Sequence, residues 1–296
     1  MARERSRLLD YLVYLAVRFA ACVVQALPYA ACMRLSDKLA WLVYRLDRRH
    51  RLVADDNLRH AFPELTPAAR RRLARATYDH LMMMLVEMIR LPRALNARTV
   101  ERHVAYAHPG DYDRALGWVQ SGRPLLVLTG HFGNWEILSY VMGLLGFRGS
   151  LVARRLDNPY LDRFLHRFRR KTGQTILDKS RDYDRIRRVL AEGGALGLVG
   201  DQDAGPRGLF VEFLGRPAST FKSIALLSLE YAAPIMVFGA ARVGTPLTYR
   251  VYLEDVILPE EFAAAARRAF GRCFQRRCSQ KYCSGCRRTS RSSASE

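Results

Sequence analysis

Residues 124–136, PLLVLTGHFGNWE, decide how the rest of the chain is read. Leu125, Leu126, Val127 and Leu128 form a short apolar run of β character, and Thr129-Gly130 end it. His131 follows at the point where a buried strand would surface. Gly133 and Asn134 permit a tight turn and a helix cap, and residues 137–145 have a helical pattern. Open α/β sheets bind their ligands at the carboxyl ends of their strands, so His131 and Glu136 are expected to straddle a strand-to-helix turn at such an edge. A carboxylate within reach of an imidazole fixes its tautomer and stabilises the imidazolium, which suits a general base that removes a hydroxyl proton. On spacing alone, a hydrogen-bonded structural histidine is the commoner role for a lone His at a strand end.

Working outward, strand and helix patterns alternate from residue 111 onward. A helix over 111–121 stops at Gly122, and a short strand covers 150–153. Asn158-Pro159 opens a helix carrying Leu161, Phe164, Leu165 and Phe168, which Gly173 ends. Strands follow at 175–177 and 195–200, with a helix over 182–192 between them. A helix over 221–232 and strands at 234–241 and 249–256 complete the pattern. This alternation predicts an α/β fold with a mostly parallel central sheet flanked by helices.

Toward the N-terminus, Thr66-Pro67 supplies a cap and a proline in the first turn. The helix after it places Leu73, Leu81, Leu85, Met88 and Ile89 on roughly one face, and its Met82-Met83-Met84 run reads as core packing. Residues 8–33 are the most hydrophobic long stretch, interrupted by Asp10, Arg18, Gln25 and Pro28. The stretch spans a bilayer only if Arg18 snorkels or faces protein, and it is too long for a cleaved signal peptide. A single anchor, an interfacial helix and a buried core helix all remain open. Arg3, Arg5 and Arg7 before it, and the arginines at 45, 48, 49 and 51 after it, suit anionic headgroups.

The hydrophobic fraction of 49% in 296 residues supports a real core and excludes disorder throughout. Residues 263–296 hold nine Lys or Arg against one acid, a net of +8 out of the chain's +20, leaving +12 elsewhere. An excess of that size calls for an acidic partner or surface. Nucleic acid is not expected, because there is no zinc finger, RNP motif or basic helix with heptads. Cys22 and Cys32 read as small hydrophobes, and Cys273, Cys278, Cys283 and Cys286 as thiols of an unstructured tail rather than a zinc site.

Two further clusters carry chemistry. Asp201 and Asp203 follow the strand over 195–200 and surface at the same sheet edge, either to bind Mg²⁺, to act as an acid/base pair, or to form a loop whose side chains bond their own backbone. Arg154 and Arg155 end the strand over 150–153, where a guanidinium can clamp phosphate. Arg207 and Lys222 read as loop and helix-surface charges, Gly208, Gly215 and Pro217 as loop-shaping residues, and Phe210 and Phe213 as core. The chain has no GxSxG, no GxxxxGK[ST] and no GxGxxG after a strand, which disfavours nucleophile-elbow hydrolysis and nucleotide binding.

TGHFGNWE resembles the His-x4-acid signature of the lysophospholipid acyltransferase superfamily, in the form found in bacterial lipid A biosynthesis acyltransferases. The resemblance continues through NLRHAFPEL at 57–65, GDQDAG at 200–205 and FVEFLGRPAST at 210–220, and so covers most of the chain to about residue 255. It implies a glycerol-3-phosphate acyltransferase-like fold with an N-terminal membrane-associated segment. The expected division is 1–50 membrane-associated helices, 51–262 acyltransferase domain and 263–296 a basic Cys/Ser-rich tail, disordered or aberrant. The family's usual aromatic ending is replaced there by RRCSQKYCSGCRRTSRSSASE, either a divergent tail or a frameshifted reading.

The implied activity is acyl transfer from an acyl-carrier-protein thioester to a hydroxyl of a lipid A precursor, on the cytoplasmic face of the bacterial inner membrane. His131 would act as base with Glu136 orienting it, and Arg155, Asp201, Asn134 and Gln202 would hold the acceptor. Neither a metal nor another cofactor is expected. The implied partners are an acidic acyl-carrier protein, a lipid acceptor and an anionic membrane surface. An acyltransferase for another glycolipid or phospholipid acceptor is the alternative within the superfamily. The rival from another class is a non-catalytic basic membrane- or nucleic-acid-binding protein, which gives no reason for these side chains to converge.

Overall fold

The computed structural model describes residues 6–179, 181–244 and 247–263. The cysteines and arginines of the tail lie outside these residues. Four helices lead the chain: α1 (Arg7–Ala26), α2 (Tyr29–Leu46), α3 (Arg48–Ala61) and α4 (Pro67–Ala94). The apolar stretch at 8–33 is therefore two helices. Pro28 cannot continue α1 and drives Leu27 into an extended conformation, with ψ at 150°. By length and composition α1 could cross a membrane, and only 17% of its most apolar window is buried. It is nonetheless docked on protein. The Asp10 carbonyl accepts from Asn158 Nδ2 at 2.8 Å, and the Arg18 guanidinium bonds the Tyr14 hydroxyl and lies 5.4 Å from the Phe164 ring centre. Cys32 is fully buried, as a small hydrophobe should be, whereas Cys22 is exposed.

Thr66 caps α4 through Oγ1, which accepts from the Ala69 N–H at 3.2 Å. The inward face of α4 is carried by Ala74, Tyr78, Met84, Glu87 and Leu91. Leu73 and Leu85, expected on the buried side, are 44% and 47% exposed, so the apolar stripe is rotated from the one read in the sequence.

The remainder follows the predicted alternation: α5 (Val100–His103), β1 (Val104–Tyr106), α6 (Asp111–Gln120), β2 (Leu125–Thr129), α7 (Trp135–Leu144), β3 (Ser150–Ala153), α8 (Pro159–Arg170), β4 (Thr175–Asp178), α9 (Tyr183–Ala191), β5 (Ala195–Val199), β6 (Leu209–Phe213), β7 (Arg216–Thr220), α10 (Lys222–Glu230), β8 (Ile235–Arg242), β9 (Tyr249–Ile257) and α11 (Pro259–Ala263). Seven strands form one sheet in the order β1-β9-β8-β2-β5-β3-β4, parallel throughout except where β9 runs antiparallel to β8. Helices cover both faces. Leu125 packs with Ile137, Val141 and Tyr249 on one side of β2, while Leu126 and Leu128 pack with Leu190, Leu196 and Ile224 on the other. That two-sided burial is why the central strands read as unbroken apolar runs.

Two parts lie outside the sequence reading: α5 and β1, which precede residue 111, and one later segment. Residues 209–220 form a separate antiparallel hairpin, β6 with β7, closed by Leu214-Gly215 with φ of +50° and +79°. A two-residue turn with both φ positive normally announces itself by Asn-Gly or Asp-Gly, and a leucine hides it. Phe210 and Phe213, read as core, are 60% and 38% exposed on this hairpin.

Candidate active site

β2 and β5 lie side by side in parallel, with Thr129 opposite Val199, and the Gly200 N–H extends the ladder to the Thr129 carbonyl at 3.0 Å. The two strands therefore release His131 and Asp201 next to each other at the carboxyl edge of the sheet. Asp201 Oδ2 accepts the His131 backbone N–H at 2.6 Å, and Oδ1 meets ring Nδ1 at 2.7 Å. One carboxylate thus holds both the main chain and the ring of the same residue. A carboxylate can only accept, so Nδ1 carries a hydrogen, and in the neutral ring the lone pair is on Nε2. Nε2 lies 3.5 Å from Gln202 Nε2, and the His131 side chain is 34% exposed. The Trp135 ring stands edge-on to the imidazole at 4.7 Å and limits its rotation. A Cβ on Gly130 would sit 3.0 Å from Asp201 Oδ2, so the bare backbone there lets the carboxylate close in.

Glu136 corrects the expected arrangement. It is buried in the first turn of α7, where an acid suits the helix dipole, and its carboxylate faces α8. There it accepts from Arg169 Nε at 3.1 Å and from Arg169 Nη2 in a second, shorter bond. Asn134 ends the turn by capping α7, so the side chain of Glu136 points across to the neighbouring helix and away from the ring. Glu136 and Arg169, with Ser139, Arg148 and Gln174, are polar members of the wall of a mainly apolar cavity between α7 and the sheet. Thr129, Leu138, Met142, Leu151 and Gly197 are among its other lining residues.

The other expected residues divide. Gln202 faces the His131 ring as described. Arg155 lies at the same sheet edge, two strands beyond β2, with Nε 3.4 Å from Asp178 Oδ2 and its side chain 55% exposed. Arg154 points outward toward Asp157. Asp203 does not pair with Asp201, because its Oδ1 accepts the Gly205 N–H at 3.0 Å and closes the loop. Beyond β4, the Lys179 ammonium lies 3.7 Å from the Phe221 ring centre, and burial lowers its pKa.

Asn134, expected to touch substrate, is fully buried. Its Oδ1 accepts the Ile137 N–H at 3.2 Å, and its Nδ2 donates to Glu87 Oε2 at 2.9 Å. Glu87, from α4, is also fully buried and receives Arg242 of β8, Nε to Oε1 at 2.5 Å and Nη2 to Oε2 at 2.6 Å. Burial opposes the charge on Arg242, yet its bonds to Glu87 keep its pKa raised. His80 completes the group, with Nε2 2.8 Å from the Gly133 carbonyl and Nδ1 3.3 Å from Arg242 Nη1. These three residues escaped the sequence reading. The available signal was an acid at position 87 on the same helical face as Met84 and Leu91.

Gly133 has φ +58°, and a Cβ there would lie 1.8 Å from the Ala240 carbonyl oxygen. The turn is seated directly on β8, where the Asn134 N–H donates to that same oxygen at 3.0 Å. Gly133→Ala is expected to cost at least about 2 kcal/mol through strain and overpacking, lowering Tm by roughly 4–8 °C in a domain of this size. An unchanged melting curve would contradict this seating.

Residues 2–254 match the family described as bacterial lipid A biosynthesis acyltransferase. The lipid A biosynthesis lauroyltransferase of Escherichia coli (strain K12) is 27% identical over 257 residues, covering 85% of this chain and 79% of that protein. The family match includes the His131 turn, the Asp201 loop and the β6–β7 hairpin, and it displaces the non-catalytic alternative. The chain is an acyltransferase and belongs to the bacterial lipid A biosynthesis acyltransferase family.

Proposed function

We propose that the protein moves a fatty acyl chain from an acyl-carrier-protein thioester to a hydroxyl of a lipid A precursor, with His131 as general base and Asp201 as its orienting carboxylate. The observation that carries this reading is the hydrogen-bonded His131–Asp201 pair at the carboxyl edge of the sheet, with Nε2 turned away from the carboxylate. Nε2 removes the proton from the acceptor hydroxyl as its oxygen attacks the thioester carbonyl. Asp201 stabilises the imidazolium that results. The tetrahedral intermediate expels the carrier thiolate, which takes the proton back from Nε2, so no acyl-enzyme forms. The backbone N–H groups of His131 and Asn134 are already committed, to Asp201 and Ala240. The Gln202 carboxamide, beside Nε2, is the better placed donor for the oxyanion.

The apolar cavity beneath α7 suits the acyl chain, and Arg155 at the same edge suits an anionic headgroup. An acidic carrier protein complements the chain's +20 charge. The exposed apolar side chains of α1, with arginines at 45, 48, 49 and 51, suit residence at the cytoplasmic face of the inner membrane.

The test is transfer by the purified full chain in detergent, using radiolabelled acyl-carrier protein and acyl-CoA with a lipid A precursor, a lysophospholipid and glycerol 3-phosphate as acceptors. Label passing from the carrier protein to the lipid A precursor is expected. Label on the lysophospholipid or glycerol 3-phosphate alone overturns the acceptor, and transfer from CoA alone overturns the donor.

A further inference from the structure

The His131 ring is exposed and gripped mainly by Asp201, so its position depends on what fixes the turn over residues 130–134. On the side away from Asp201, that turn is held by groups from outside the sheet edge. His80 Nε2 donates to the Gly133 carbonyl, and the Asn134 amide donates to the Glu87 carboxylate. Arg242 binds Glu87 in a two-bond fork and also approaches His80, joining the two contacts into one group. Glu87 is 0% exposed and Asn134 is 0% exposed. A buried ion pair is seldom more stabilising than apolar side chains of the same size, and such pairs are best understood as fixing one geometry among several. Here the geometry fixed is that of Gly133 and Asn134, two of the three residues joining His131 to α7.

The geometry points to Glu87, Arg242 and His80 as positioning residues for the proposed reaction: from α4 and β8 they hold Gly133 and Asn134, and through them the His131 imidazole, at the height where Nε2 meets the acceptor hydroxyl. This rests on the reading of His131 as general base. None of the three is among the residues lining the cavity between α7 and the sheet. Their action is on the turn alone, so losing them affects turnover more than binding.

Single removal of Glu87 or Arg242 strands a buried charge and confuses instability with misplacement. The informative variant is Glu87→Met/Arg242→Met, which removes both charges at similar volume, beside the pair His80→Ala and His80→Gln. The double variant is expected to fold with a Tm lowered by the unpartnered Asn134 amide, to lose about 10–100-fold in kcat through displacement of the base, and to keep its KM for both substrates. Amide hydrogen exchange over residues 131–134 is expected to quicken. His80→Ala is expected to lose about tenfold in kcat by the same displacement. His80→Gln, whose carboxamide N–H can still reach the Gly133 carbonyl, is expected to recover most of that loss. A folded double variant with native kcat and native exchange overturns the proposal. If the double variant does not fold, the His80 pair decides, and native kcat in His80→Ala, or an equal loss in both His80 variants, overturns it. A parallel His131→Ala measurement separates the two levels: full activity there removes the general-base reading, whereas its loss beside intact positioning variants removes only this one.

Discussion

Replacing His131 with alanine should lower kcat by about 10²–10⁴-fold, the usual contribution of a general base, while leaving the melting curve nearly unchanged. The residue lies in a surface turn, and its side chain touches Asp201, Trp135 and Gln202 without entering any of the three core clusters of the described residues. Its removal takes away the atom that accepts the acceptor's proton and leaves the acyl cavity intact. Binding of the acyl donor should therefore persist, and added imidazole should restore part of the lost turnover. Stopped-time assays of acyl transfer with purified, folded variant are the measurement. Undiminished transfer would end the assignment of His131 as base.

Asp201→Asn should be nearly as damaging, for a reason visible in the hydrogen bonds. The carboxylate accepts two N–H groups of His131 with two oxygens. An amide offers one oxygen, so either the backbone N–H or the ring loses its acceptor. Where the amide nitrogen meets Nδ1, the ring must shift its hydrogen to Nε2 and ceases to be a base. The equivalent change at a Ser-His-Asp triad costs about 10⁴-fold in kcat, and a loss of roughly 10²–10⁴-fold is expected here. Glu136→Gln differs in kind. It leaves Arg169 in the cavity wall without its counter-charge, so its damage should appear in Tm as well as in rate. An Asp201→Asn variant with native kcat would show that the ring is oriented by some other group during turnover.

Local chemistry made the fold readable from the sequence. Thr66-Pro67 and Asn158-Pro159 carry their helix starts on two residues each, and Gly122 and Gly173 mark breaks with φ of +65° and +89°. The buried strands read directly as apolar runs. The β6–β7 hairpin was hidden by a leucine at a positive-φ position, and β1 by having only three residues at a sheet edge. The site was readable only in part, because its pairings cross the chain. His131 and Asp201 were each recognisable at a strand end, but their contact depends on β2 and β5 being neighbours, which no local pattern states. Nearness in sequence suggested Glu136 as the ring's partner, and the helix geometry of α7 turned it to Arg169. That arginine is one of several at the end of α8, and nothing in its spacing singles it out. Glu87 sits on the inward face of α4, but its partners Arg242 and Asn134 come from distant parts of the chain.

The base and its carboxylate arrive on different strands, 70 residues apart, and meet only through the β2–β5 ladder. A slip of one residue in that ladder would carry Asp201 about 3.3 Å along the strand and turn it to the opposite side of the sheet. Turnover is therefore a gauge of alignment in the innermost strands. During refolding it should appear no earlier than those strands lock together, however soon the helices regain their signal.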